Sequence, residues 1–129
     1  MNEIADRFAS LEAKLAETRG SFTFFALFLP EDAADYWDLL VAAPWLGPNK
    51  QEAVKYLVNE IKSHLGPQEL MNLSRIVVVD PDNPSLQAVT KAIPVEHGRV
   101  EVRDRTFFGL PIRQGFIITS KTPEVPVTK

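Results

Sequence analysis

Apolar and polar positions alternate between two rhythms along this chain, and the first apolar block is the densest. Phe22-Thr23-Phe24-Phe25-Ala26-Leu27-Phe28-Leu29 and Leu39-Leu40-Val41-Ala42-Ala43-Pro44-Trp45-Leu46 flank an acidic stretch, Pro30 to Asp38. Runs this short read as strands of about 21–29 and 37–43, apolar on both sides, with the first interior to its sheet. The acids between them belong to a water-facing loop, and Pro44 ends or edges the second strand.

Helical spacing precedes this block. Ile4, Phe8, Leu11 and Leu15 recur every three or four residues among charges, and Gly20 follows, which predicts an amphipathic helix over 2–18. The stripe is narrow, so the helix either lies across the domain or pairs with a copy of itself. A second helix is predicted over 49–65. Asn49 is its N-cap with Glu52 three residues on, Val54, Leu57, Val58, Ile61 and Leu65 form one face, and Gly66-Pro67 stops it. A short helical turn is expected from Pro67 to Leu73.

Ile76-Val77-Val78-Val79 reads as a buried strand. Asp80-Pro81-Asp82-Asn83-Pro84 then turns the chain, with Asn83 capping a helix that carries Leu86, Val89 and Ile93. Residues 95–104 alternate, with Val95, Val100 and Val102 against Arg99, Glu101 and Arg103. They predict a half-exposed strand toward an edge, with His97-Gly98 as turn or bulge. A last strand runs from Ile112 to Thr119. The order is α-β-β-α-(α)-β-α-β-β. It gives an α+β (or α/β) fold with a mixed, mainly antiparallel sheet of about five strands and three main helices. A single domain of 1–120 with a flexible tail at 121–129 accounts for the whole chain. Doubly apolar strands need cover on both faces. Either the helices cover both faces or a second subunit covers one; so few helices support a dimer without forcing it.

Composition narrows the chemistry. A chain of 129 residues can bury about two-thirds of its unfolded surface, so it folds without disulfide or metal. It has no Cys, which removes thiolate metal sites, Fe–S clusters and a Cys nucleophile. A net charge of -3 argues against wholesale binding to nucleic acid. The start of the chain lacks the apolar core of a signal peptide. No apolar run approaches the roughly 20 residues of a membrane span, so a cytoplasmic location is expected and no membrane partner.

Candidate chemistry is sparse. No phosphate loop, His-x-x-x-His pair or Gly-x-Ser-x-Gly elbow occurs, so no cofactor or metal is assigned. Asp80, at the carboxyl end of an apolar strand, Asp38 in the acidic loop and His97 are the catalytic candidates. Phe8, Leu11, Leu15, Trp37, Trp45, Arg99, Arg103 and Arg105 are the interaction candidates. They support a non-enzymatic protein-interaction or regulatory module that self-associates as a dimer or meets another protein. One alternative is a metal-assisted hydrolase joining Asp80 to a carboxylate of the 31–38 loop. A second is nucleic-acid binding through the Arg99–Arg113 hairpin.

Overall fold

The fold was analysed in a computed structural model that describes residues 3–31, 36–47, 49–80 and 82–121. The elements are α1 (Glu3–Thr18), β1 (Phe24–Pro30), β2 (Trp37–Ala42), α2 (Lys50–His64), α3 (Pro67–Met71), β3 (Leu73–Val78), α4 (Pro84–Ala92), β4 (Val100–Phe107) and β5 (Leu110–Ser120). One 3-10 turn, Pro44–Leu46, follows β2. This is the α+β architecture that the alternating rhythms imply, with four α-helices among the described residues and their five strands in one mixed sheet.

The strand order is β3-β2-β1-β5-β4. Only β2 and β3 run parallel, because α2 and α3 carry the chain back between them; the other pairs are antiparallel. β1 is central and every residue in it is buried, as its two apolar sides require. β4 is an edge strand, as its alternation predicts. β3 is the other edge, which corrects its reading as a buried strand. Only β2 flanks it, and Ile76, Val77 and Val78 are half-buried. An apolar run of four residues has no signal that separates a central strand from an edge one.

Local chemistry sets the helix ends. Asn49 Oδ1 accepts the Glu52 N–H at 3.1 Å, and Asn83 Oδ1 accepts the Ser85 N–H at 2.8 Å. The reciprocal half of a capping box is missing from α2, since the Glu52 carboxylate faces Lys55 instead. Gly66 ends α2 with φ 111 and returns its N–H to the Ile61 carbonyl.

The chain covers both faces of its own sheet. On the first face, Phe8, Leu11 and Leu15 of α1 and Leu57 and Ile61 of α2 pack over Phe25, Leu27, Leu39, Val41 and Ile118. On the second, Leu86 and Val89 of α4, with Val102, Phe107 and Ile112 of the β4–β5 hairpin, cover Phe24, Ala26, Phe28, Leu40 and Ile117. The hairpin curls over the sheet because Gly115 lets Phe28 pass. A Cβ there would sit 2.7 Å from the Phe28 ring. Of the two covers that the sequence allows, the chain's own is therefore present, because a 9-residue helix and a folded hairpin suffice on the second face. Lys121 continues the ladder through an N–H bond to Thr23. The rest of the proposed tail lies outside the described residues. No helix among them is long and apolar enough to cross a membrane.

Candidate functional site

β2 and β3 are parallel, so their carboxyl ends lie at the same end of the sheet. There the chain enters α2 and, after the Asp80 turn, α4. Ligands of α/β sheets gather at such ends because the helices present their free N–H groups there. In this protein the place is a cleft of about 440 Å³ on the second face of the sheet. Leu40 and Val77 are among its apolar residues, and Lys50, Asp80 and Asn83 line it at the carboxyl ends of the strands. Phe108 and Leu110, at the tip of the β4–β5 hairpin, form its apolar wall.

Arg75 reaches the same cleft from β3. Its position follows from Asp38, which pairs with it across the β2–β3 ladder. Arg75 Nε lies 3.1 Å from Asp38 Oδ2, and the Asp38 side chain is 4% exposed. The acidic-loop reading of Asp38 is thus corrected. Asp38 opens the β2 strand and is buried, where it needs a cationic partner. Among the described residues no second acid pairs with Arg75, and half of its side chain faces water. Asp80 pairs with Lys50 at 3.2 Å, and both side chains are more than half exposed.

The three catalytic candidates do not converge. Asp38 holds Arg75, Asp80 holds Lys50, and His97 lies elsewhere. His97 adopts φ 55, and its Nδ1 is 2.8 Å from the carboxylate of Glu12 on α1. Glu12 is fully buried and also accepts the Thr119 hydroxyl at 2.7 Å. Sequence reading passed over Glu12, although its spacing from Phe8 and Leu15 sets it on the apolar stripe of α1. Glu96, beside His97, accepts a hydrogen bond from Lys121 at 2.6 Å. That bond and the positive charges of Lys121 and His97 hold its carboxyl below the usual range, against a smaller opposing effect of burial. No group of three or more His, Asp or Glu among the described residues could hold a metal ion. Asp32 and Asp35 of the acidic loop lie outside the described residues.

The interaction candidates divide. Phe8, Leu11 and Leu15 are core residues, which corrects their reading as a contact surface, because the sheet already fills the α1 stripe. Trp37 is buried, its ring 5.8 Å from Phe116. Trp45 is half-buried and donates its indole N–H to the Ser21 carbonyl. The Arg19 guanidinium lies 5.1 Å from the Trp45 ring and 4.7 Å from Tyr56. On the hairpin, Arg99 pairs with Asp6 and Arg103 with Glu101, while Arg105 is exposed. Hydrogen bonds from Arg103 and Gln114 hold the Glu101 carboxyl below its usual range. The arginines of this strand thus stand among acids. Comparison of the chain with protein-family models, with curated proteins and with solved structures finds no match.

Proposed function

We propose that this chain is a protein-interaction module that self-associates by pairing the open edge of β3 with the same edge of a second copy. The contrast between the two sheet edges carries the reading. β4 is guarded as edge strands usually are. Glu101, Arg103, Asp104 and Arg105 all lie within Val100–Phe107, and Asp104 adopts φ 51. β3 holds one charge, Arg75, and no proline.

Its backbone is ready for a partner. The Val79 N–H donates to the Val41 carbonyl. By the alternation of a parallel ladder, Ile76 and Val78 then direct their N–H and C=O groups outward. Exposed apolar side chains flank the edge. Tyr36 (52% exposed) and Met71 (73%) lie beside its amino end, and Leu110 (37%) lies on the cleft that Val77 helps to line. An antiparallel pair of identical edges is self-complementary, so it closes as a two-fold dimer.

Light scattering coupled to size exclusion tests this. The wild-type chain is expected to show a dimer whose population rises with concentration. Ile76→Pro removes an outward N–H, leaves the β2–β3 ladder whole and keeps an apolar ring on the sheet face, so it should yield a folded monomer. Arg103→Ala on the guarded edge should leave the dimer unchanged. A wild-type monomer at about 1 mM subunit, the weak end of specific association, would remove the reading.

A further inference from the structure

We infer that the cleft between the β3 edge and the β4–β5 hairpin tip binds a small amphipathic carboxylic acid, one charged head on an aryl or branched alkyl body. The inference is independent of self-association.

The head is recognised by Arg75. Buried Asp38 lies against Nε and so orients the guanidinium, whose half-exposed side chain has no second ion partner among the described residues. Two parallel N–H donors match a carboxylate in bidentate form. Lys50, at the other end of the same cleft, adds positive field along it. Its pairing with Asp80 is between two half-exposed groups in water, a contact weak enough to yield to a ligand.

The body is recognised by the apolar wall of Leu40, Val77, Phe108 and Leu110. Phe108 is the telling residue. With Gly109 it forms the two-residue turn of the hairpin, and both have positive φ, 54 and 77. Such turns favour Asn-Gly, because a bulky side chain is strained there. The strained aromatic edges the cleft, which fits a wall built for an apolar guest. About 440 Å³ accommodates a guest of roughly ten heavy atoms, within the ordinary range of ligand sites.

The probe is 3-phenylpropionate, followed by amide chemical shifts of the full chain. Inorganic phosphate and 3-phenylpropanol serve as the anion without the body and the body without the charge. The acid is expected to bind with a dissociation constant of about 1 mM or tighter and to shift residues of β3, the Asp80 turn and the hairpin tip. Phosphate and the alcohol should each bind at least about fivefold more weakly. Lys50→Ala and Phe108→Asn should each weaken the acid by a similar factor. Arg75→Met should do so more strongly, and if that variant fails to fold, the other two decide. No shift up to about 10 mM acid overturns the inference. So does binding of the alcohol or of phosphate as tightly as the acid, or binding that neither Lys50→Ala nor Phe108→Asn alters.

Discussion

At the scale of single residues, the sites that break a local rule are the ones with consequences. Glu12 is a carboxylate in the core, satisfied by His97 and Thr119. Removing His97 leaves a buried charge with one donor. His97→Ala is therefore expected to lower the unfolding free energy by about 2 kcal/mol, the half-exposed imidazole making water a partial substitute. In a Glu12→Gln background the same substitution should matter less, because no charge is left unpaired. Urea denaturation of the two single variants and the double variant measures this coupling. Gly115 is the second such residue. Its Cβ would meet the Phe28 ring at 2.7 Å and the Leu27 carbonyl at 3.2 Å, and a backbone oxygen cannot step aside. Gly115→Ala should destabilise by about 1–3 kcal/mol, read from the same denaturation curves. Glu96 gives a pH dependence. Lys121 depresses its folded-state pKa, so the pair stabilises the fold above the unfolded value of about 4.3 and loses that contribution as pH falls through the folded value. Lys121→Ala should flatten that limb of a stability profile taken between pH 6 and pH 3.

At the scale of elements, the β4–β5 hairpin shows packing overriding turn chemistry. Phe108→Asn relieves a strained φ, worth about 1 kcal/mol, and gives up a half-buried ring 5.8 Å from Phe24. The two effects oppose each other, so the melting temperature should move by only a few degrees in either direction, while the cleft loses its wall. Calorimetry on the free variant separates this outcome from general unfolding. The same element marks how far sequence reading reaches. The doubly apolar β1, the Asn49 and Asn83 caps and the alternating β4 were all legible, because each rests on neighbours in the chain. The edge position of β3 was not, since its four apolar residues look the same with one flanking strand or two. Nor was the cleft. Asp80 was legible as a strand-end acid, but Lys50, Arg75 and Phe108 come from α2, β3 and the hairpin, and only the β–α–β crossover brings them together. Asp38 was misplaced because an acid next to a loop carries no mark of the buried ion pair that takes it into a strand.

At the scale of the whole molecule, the self-sheltered sheet removes greasy faces as the reason to associate and leaves the edge. Antiparallel pairing of two β3 edges has its two-fold axis perpendicular to the sheet, so both clefts open on the same side, one on each flank of the axis. In the proposed dimer, Arg75 of one protomer faces the β3 strand of the other within a few residues of that copy's own Arg75. Two guanidinium groups so placed, each facing only its own Asp38, repel one another, and this weakens the pairing. A carboxylate on each removes the repulsion. Linkage is reciprocal, so an acid that binds the dimer better must also tighten the dimer. Sedimentation at low ionic strength should therefore show 3-phenylpropionate lowering the dimer dissociation constant severalfold. Salt at about 1 M, where the screening length falls to about 3 Å, should abolish the effect by screening the arginines itself. Arg75→Met should dimerise without help from the acid. An acid that binds the cleft yet leaves the dimer constant unchanged at low salt would mean that the two arginines do not meet, and the β3–β3 register would have to be redrawn.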